Sequence, residues 1–290
     1  MSVQPVIAVD TLSFTYPGAT DRAVRDVSFA VGEGEVFGLL GPSGAGKSTT
    51  QNILIGLIRG FEGTARVLGR SLDAWDSRLY RHIGVSFEVP NHYLKLTARE
   101  NLELFRSLHG GDTESPETVL EMVDLLDAID VRVGEYSKGM KNRLTFARSL
   151  LHRPRVWFLD EPTAGLDPVS SRRIMDIIDG RRRSRVTTFL TTHDMAVADT
   201  LCDRVGFMVS GRLEVIDAPR DLRVRYGKRE VRVTWREEGS RLGSTTFPME
   251  RLGDDAAFLE TLRKRRIESI HSMEATLEDV FVQVTGRSLS

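Results

Sequence analysis

The segment GPSGAGKST, residues 41–49, constrains the fold more than any other part of this chain. It follows a short apolar run, VFGLL, and it opens KSTTQNILIGLI, whose apolar residues have helical spacing. Glycines in such a loop let backbone N–H groups turn inward around a phosphate, and the lysine that follows reaches the β- and γ-oxygens. The strand, loop and helix together predict a phosphate-loop nucleotide site in an α/β fold.

The loop and the first helical turn supply the expected nucleotide contacts. The hydroxyl of Ser48 is also suited to ligate Mg²⁺ beside the phosphates. The predicted nucleotide-binding residues of this segment are Gly41, Pro42, Ser43, Gly44, Ala45, Gly46, Lys47, Ser48 and Thr49.

A second segment, VWFLDEP, presents two carboxylates where a buried strand ends. In α/β folds this edge of the sheet binds ligands, so Asp160 is the expected Mg²⁺ partner of Ser48. Glu161 points elsewhere, and it is suited to orient or deprotonate an attacking water if its pKa is raised in a closed site. The alternative interpretation is a strand followed by an ordinary polar turn.

A third segment, YSKGMKNRL, raises a question. Ser137 and Gly139 open a predicted helix with Lys138 and Lys141 beside them, so this helix start is also prepared for an anion. The phosphate loop is already a complete cradle. One chain of this size therefore carries two anion-ready helix starts.

Apolar patterning gives the organisation around these segments. VIAVDTLSFTYPG and AVRDVSFAVGEGEVFGLLG indicate short strands of an antiparallel sheet, the last of which enters the phosphate loop. Further strands are indicated by RHIGVSF, RVWFLDE and VTTFLTTH. The last two are continuous apolar runs typical of a parallel sheet. A hairpin is indicated by VSGRLEVI. Thr97 and Glu100 form a capping box and Ser115-Pro116 a second helix start.

We therefore predict an α/β protein with a phosphate-loop NTPase core. An antiparallel β subdomain opens an ATPase domain over residues 1–220, which also contains an inserted helical subdomain at about 88–152. The pattern of the sequence changes at about Asp221. EVRVTWRE alternates apolar and polar residues, as a half-buried strand does, and it is followed by a helix, a strand and a last helix. Residues 221–290 are predicted to form a small α+β domain.

Composition limits the partners and the compartment. Lys plus Arg number 40 against 41 Asp plus Glu, so no global field attracts nucleic acid, and none is expected as a partner. Cys202 is the only cysteine and favours a reducing cytoplasm. The segment MSVQPVIAVD lacks the pattern of a signal peptide, and no apolar run predicts a spanning helix.

In their order along the chain these segments resemble the nucleotide-binding subunit of an ATP-binding-cassette (ABC) transporter, over about residues 6–220. The resemblance implies that Tyr16, in FTYPG, stacks on the adenine of ATP. It implies that AGLDP, with Asp167, is the loop after the catalytic glutamate and that His193, in LTTHD, contacts the γ-phosphate. The catalytic group it implies is Lys47, Asp160, Glu161 and His193.

The same resemblance answers the question raised by YSKGMKNRL. In this family two cassettes pack head to tail, and the signature helix of one closes over the ATP held by the phosphate loop of the other. Ser137 and Gly139 would then serve a partner's nucleotide. Binding of two Mg·ATP would close the dimer, and hydrolysis would release it.

Two departures from the family's common pattern bear on function. Lys138 replaces a glycine in the signature, a form that resembles the drug- and antibiotic-exporter branch, as does the tail ATLEDVFVQVTGR. Glu88 stands where the family has a glutamine that reaches Mg²⁺, in a loop that touches the membrane partner. Either Glu88 ligates the metal or it lies away from the site. Phe87, Pro90 and Tyr93 are candidates for the membrane-partner contact, and the alternative is simple packing within the chain.

The sequence thus predicts an ATPase subunit that dimerises around two Mg·ATP and powers export through an integral-membrane permease on another chain. The cargo is expected to be a drug, an antibiotic or a lipid, and the subunit is expected on the inner face of the cell membrane. One alternative is a soluble cassette ATPase without transport, for example in iron–sulfur assembly. Another is an unrelated phosphate-loop kinase or GTPase, which would leave the signature helix unexplained.

Overall fold

The computed structural model describes residues 4–227, 229–237, 241–273 and 275–287. The start of the N-terminal segment and a few residues of the predicted C-terminal domain lie outside the described residues. The chain divides into two compact units, of which the first extends to Ala218 and the second begins at Pro219.

The first unit contains ten strands and six α-helices among the described residues. The strands are β1 (Ile7–Phe14), β2 (Val24–Val31), β3 (Val36–Leu40), β4 (Glu62–Val67), β5 (Arg70–Ser71), β6 (Ile83–Ser86), β7 (Val156–Asp160), β8 (Thr187–Thr192), β9 (Arg204–Val209) and β10 (Arg212–Asp217). The helices are α1 (Lys47–Leu54), α2 (Ala98–His109), α3 (Pro116–Met122), α4 (Lys138–Arg148), α5 (Pro168–Arg183) and α6 (Met195–Leu201).

A six-stranded sheet in the order β10-β9-β3-β8-β7-β6 forms the centre of this unit. Its strands run parallel except β10, which pairs antiparallel with β9. Every residue of β3, β7 and β8 is buried, as expected for strands covered on both faces. Because these strands are parallel, the carboxyl ends of β3, β7 and β8 lie at the same edge of the sheet. The predicted site residues lie at these strand ends or directly after them.

A second sheet, in the order β2-β1-β4-β5, is antiparallel. The prediction that the strand entering the phosphate loop belongs to it is wrong, because β3 pairs in parallel with β8 and β9. The physical reason is burial: β2 alternates buried and exposed residues, whereas β3 is apolar on both faces. The rings of Phe29 and Phe37 stack with centroids 5.2 Å apart and join the two sheets.

Helices α2, α3 and α4 lie between β6 and β7, within the segment predicted to form a helical subdomain. The Thr97–Glu100 capping box is confirmed, with both reciprocal hydrogen bonds formed. Ser115 caps α3 through the N–H of Thr118, and Pro116 occupies its first turn, also as predicted. The hairpin of β9 and β10 is confirmed, and residues Ser210 and Gly211 take positive φ at its turn.

The second unit is a small α+β structure. Its elements are α7 (Pro219–Tyr226), β11 (Glu230–Arg236), β12 (Leu242–Pro248), α8 (Ala256–Lys264), β13 (Arg266–Met273) and α9 (Leu277–Thr285). The sheet order is β12-β11-β13, with Val231 and Val233 buried against Phe247 and Phe258. The predicted succession of elements lacked β12, because this strand is mostly polar or exposed and only Phe247 is buried. Within the described parts of both units, no helix is long and apolar enough to cross a membrane.

Candidate nucleotide site

The phosphate loop joins the buried β3 to α1, and close packing fixes its backbone. Gly41 and Gly46 have φ of +155° and +106°. A Cβ at Gly41 would lie 2.1 Å from the carbonyl oxygen of Met208, and one at Gly46 would lie 2.4 Å from that of Ala23. Only glycine fits at these two positions, so the loop is held in the turn that exposes its backbone N–H groups.

Lys47 places a buried cation inside this turn. Its Nζ donates to the carbonyl oxygens of Gly41, at 2.6 Å, and Pro42, at 3.1 Å. Burial lowers the pKa of Lys47, while the negative charges of Glu161, Asp160 and Glu88 oppose that shift. An entering phosphate would therefore meet a lysine that is poorly hydrated and already positioned.

Ser48 and Asp160 meet as predicted from the sequence. The Oγ of Ser48 donates to Oδ1 of Asp160 at 3.2 Å, and Thr191 Oγ1 donates to the same oxygen. Burial raises the pKa of Asp160, and these two hydrogen bonds oppose the rise. A hydroxyl and a carboxylate side by side suit a hard divalent cation such as Mg²⁺. The described residues contain no cluster of three His, Cys, Asp or Glu side chains that could hold a metal by itself.

Glu161 is held by three hydrogen-bonding groups from the end of β8. Its Oε2 accepts from Thr192 Oγ1 at 2.9 Å, and its Oε1 accepts from the backbone N–H of His193 at 3.0 Å. His193 Nδ1 lies 2.7 Å from the same Oε1. Glu161 also has φ of +48°, an uncommon value for a residue other than glycine and one often retained at functional sites.

The sequence interpretation missed Thr191 and Thr192. The strand register pairs Asp160 with Thr191, so the adjacent hydroxyls reach Asp160 and Glu161 respectively. Two consecutive threonines before His193 were the available signal. Their function depends on β7 and β8 being neighbours, which a single sequence does not state.

Tyr16 is exposed and lies beside the first turn of α1. Its hydroxyl is 3.1 Å from Oγ1 of Thr49, and its ring meets that of Phe14 edge to face at 5.0 Å between centroids. The structure therefore brings Tyr16 to the phosphate loop with ring surface available for stacking. Its contact with adenine stays a prediction.

Glu88 is an exposed residue just after β6. Its charge contributes to the pKa of Lys47, so the carboxylate lies within electrostatic range of the phosphate loop. Its role as a metal ligand stays a prediction.

Ser137 begins the signature helix α4. Its Oγ accepts from the backbone N–H of Met140 at 3.2 Å, and both Ser137 and Lys138 are exposed. Around Gly139 there is room, since a Cβ there would meet no atom closer than 3.9 Å. The helix start is thus formed and open, as predicted from the sequence.

Asp167 uses its carboxylate within its own helix. It caps α5 by accepting from the N–H groups of Val169 and Ser170 and from Ser170 Oγ at 2.6 Å. The bonds from Ser170 hold the pKa of Asp167 below its ordinary value. A nucleotide contact by Asp167 stays a prediction. In the structure its carboxylate caps the N-terminus of α5.

Comparisons with known proteins identify the family. A family model described as "ABC transporter" matches residues 24–164, and one described as "Fluoroquinolone efflux ABC transporter C-terminal domain" matches residues 229–274. A fluoroquinolones export ATP-binding protein of Mycobacterium tuberculosis is 55% identical over 286 residues, which cover 98% of this chain and 95% of that protein. The chain belongs to the ATP-binding proteins of ABC transporters. The predicted resemblance, including that to the drug-exporter branch, is confirmed.

Other ABC proteins are similar over about three quarters of the chain. ABC transporter A family member 7 of Arabidopsis thaliana is 40% identical over 239 residues, 78% of this chain and 25% of that protein. A dimeric, post-hydrolysis ABC cassette solved with ADP and Pi has a TM-score of 0.68 at 26% identity, covering 73% of this chain and 98% of the other. An ATP-binding subunit of an ABC transporter has a TM-score of 0.70 at 28% identity, with 77% and 93% covered. The fold class is confirmed, and the chain is an ABC ATPase. The alternative of an unrelated kinase or GTPase is excluded.

Proposed function

We propose that this ABC protein hydrolyses Mg·ATP to drive export of fluoroquinolone-type drugs through a separate integral-membrane subunit, on whose cytoplasmic side it binds. The observation that carries the proposal is the 55% identity to a fluoroquinolones export ATP-binding protein across nearly the whole of both chains. That similarity includes the second unit, so it is not limited to the nucleotide-binding part common to ABC proteins.

Within one chain, the phosphate loop and Lys47 bind the triphosphate, and Tyr16 stacks on the base. Ser48 and Asp160 hold Mg²⁺, which offsets phosphate charge. Glu161 orients and deprotonates the attacking water, because Thr192 and His193 fix its carboxylate from one side.

His193 contributes to the same step from the solvent side. Its side chain is 57% exposed, whereas that of Glu161 is 9% exposed. The imidazole thus contacts the carboxylate through Nδ1 and presents its other ring nitrogen outward, where a γ-phosphate can accept a hydrogen bond.

A second copy of the chain, or a related cassette, completes the site. The open N-terminus of α4 and the exposed Ser137 supply anion-binding groups beyond those of the phosphate loop. In the dimer they close over the partner's γ-phosphate. This arrangement accounts for two anion-ready helix starts in one chain.

The membrane subunit docks in a groove of about 500 Å³ in the first unit. Apolar side chains line most of it, and Leu57 and Leu108 are 56% and 71% exposed there. Phe87, predicted as a partner contact, also lines the groove. Exposed apolar surface of this kind marks interaction sites, and a helical segment from the cytoplasmic side of the membrane subunit fits its size and character.

The test is transport by the reconstituted pair. The chain is expressed with the membrane subunit that co-purifies from membranes, and norfloxacin uptake is measured in inside-out vesicles with Mg·ATP. We expect ATP-dependent uptake with the parent and none with Glu161→Gln, whose vesicles contain the same amounts of both proteins. Norfloxacin movement that is equal with and without hydrolysis would contradict the proposal.

A further inference from the structure

The half-buried side chain of His92 joins the β6–α2 loop (residues 87–97) to the signature helix α4. Its Nε2 lies 2.9 Å from Oγ1 of Thr145 and 3.1 Å from the carbonyl oxygen of Lys141. Thr145 Oγ1 itself donates to that carbonyl oxygen at 3.0 Å. One imidazole nitrogen, one hydroxyl and one carbonyl therefore form a closed network between the loop and the helix.

This network fixes the protonation of the ring. A carbonyl oxygen only accepts hydrogen bonds, so Nε2 of His92 carries the proton and donates it toward α4. Nδ1 is then unprotonated, and it is buried without a hydrogen-bond partner among the described residues. Burial lowers the pKa of His92 to about 4, and the positive charge of Arg148 lowers it further. The imidazole is thus neutral at pH 7, with its one donor directed to the helix.

The backbone on both sides of His92 is also held. Asn101 of α2 is fully buried, and its amide donates to the carbonyl oxygen of Tyr93 and accepts from the N–H of Tyr93, both at 3.0 Å. On the other side, Arg148 donates to the carbonyl oxygen of Asn91 at 2.6 Å. The ring of His92 therefore extends from a fixed backbone, and it can hold α4 in one position.

The part of α4 that His92 contacts is close to the open start of the helix. Lys141 lies one helical turn after Ser137, and its N–H donates to the carbonyl oxygen of Ser137 at 3.0 Å. The same loop carries Glu88, whose charge acts on the pKa of Lys47 in the phosphate loop. His92 thus lies in the segment that connects the surroundings of one nucleotide with the helix start proposed to serve another.

We propose that His92 is a positioning residue for ATP hydrolysis, which holds α4 so that Ser137 meets the nucleotide of the second chain in the correct place. The inference rests on the proposed function, in which α4 closes over the partner's γ-phosphate. A displacement of about 1 Å in a group that contacts the reacting phosphate can lower the rate about a hundredfold. Because His92 acts through α4, its effect belongs to the partner's nucleotide and not to that of its own chain.

The first step of the test changes the donor of His92. His92→Leu removes it, whereas His92→Gln places an amide nitrogen near the position of Nε2. We expect kcat to fall roughly tenfold in His92→Leu and most of it to return in His92→Gln. Isothermal titration should show parental ATP affinity in both, because the phosphate loop is unchanged.

His82→Leu is the matched control, since it deletes an imidazole just before β6 whose ring meets that of Trp75 at 5.8 Å between centroids. An equal loss of kcat in His82→Leu and His92→Leu, or no recovery in His92→Gln, would overturn the proposal.

The second step tests whether the effect passes through α4. Thr145→Val deletes the hydroxyl that Nε2 of His92 contacts, so it should lower kcat by itself and leave ATP affinity unchanged. The variant with both His92→Leu and Thr145→Val should be little slower than His92→Leu, since both substitutions break the same network. Fully additive losses would show that His92 does not act through the helix. Thr145→Val with His92→Gln also decides the question if His92→Leu does not fold.

The third step identifies the site on which His92 acts. When His92→Leu is mixed with Lys47→Ala, both lesions fall in one composite site only if His92 acts through Ser137 of its own chain. The mixture should then hydrolyse ATP about as fast as a mixture of Ser137→Arg with Lys47→Ala. If it is much slower, each site carries one lesion, and the proposal for His92 is wrong while the dimer stands. If the Ser137→Arg mixture is itself no more active than its separate variants, the head-to-tail arrangement fails, and this inference fails with it.

Discussion

Nδ1 of His193 lies 2.7 Å from Oε1 of Glu161, the same oxygen that accepts the backbone N–H of His193. One residue at the end of β8 therefore fixes the carboxylate at the end of β7 through its backbone and its side chain. With Thr192 on the other oxygen, Glu161 has one defined orientation before any nucleotide enters. Preorganisation of this kind is what a general base requires.

Glu161→Gln should bind ATP with affinity close to that of the parent, because Lys47 and Ser48 are retained. It should hydrolyse ATP at about one hundredth of the parent rate or below, because the base is lost. An ATP-bound dimer should accumulate. Phosphate release and size-exclusion chromatography with Mg·ATP measure the two effects. Equal turnover in variant and parent would remove Glu161 from the mechanism.

Thr192→Val should lower kcat roughly tenfold with little change in KM for ATP. The substitution keeps the shape but deletes the hydroxyl that donates to Glu161, a hydrogen bond to a charged group. Thr188→Val is the matched control on the same strand, since Thr188 Oγ1 is buried without a hydrogen-bond partner among the described residues. A similar loss in both variants would indicate a general effect on β8.

Ser137 of one chain should complete the site that contains Lys47 of the other. Mixing Ser137→Arg with Lys47→Ala subunits places both lesions in one composite site and leaves its twin whole. Such heterodimers should close around one ATP and retain activity that neither variant has alone. If the mixture is no more active than the separate variants, the head-to-tail arrangement is wrong.

Glu88 should make nucleotide binding steeply dependent on Mg²⁺, because its added negative charge faces the triphosphate unless the cation offsets it. Glu88→Gln retains an oxygen ligand without the charge, so it should bind ATP with a shallower Mg²⁺ dependence and remain active. Glu88→Ala should lose most hydrolysis. Titration of ATP binding against Mg²⁺ distinguishes the three proteins, and superimposable curves with parental hydrolysis in Glu88→Ala would leave no metal role for this residue.

The second unit should be dispensable for nucleotide binding, since every nucleotide residue proposed here lies before Ala218. A chain ending at Ala218 should fold and bind ATP with near-parental affinity, and dimer stability or transport should fall. Isothermal titration with ATP, after circular dichroism has shown a folded product, is the measurement. A folded truncation that does not bind ATP would place part of the site in the second unit.

The sequence alone determined the features whose cause is local. A glycine loop between an apolar strand and a helix, a Thr97–Glu100 capping box and a proline at the first turn of α3 each depend on residues a few positions apart. The structure forms all of them where they were predicted. Charge and apolar patterning also limited the class of protein before any long-range contact was known.

Only the tertiary structure decided what depends on residues distant in the chain. It placed β3 in the parallel sheet, because burial on both faces outweighs proximity to β2. It added β12, whose polar sequence becomes a strand by pairing with β11. The register of β7 with β8 set Thr192 and His193 on Glu161, and the folding of α4 beside α2 set the guanidinium of Arg148 over the ring of Phe105. Register and burial are properties of neighbouring elements, so no single stretch of sequence specifies them.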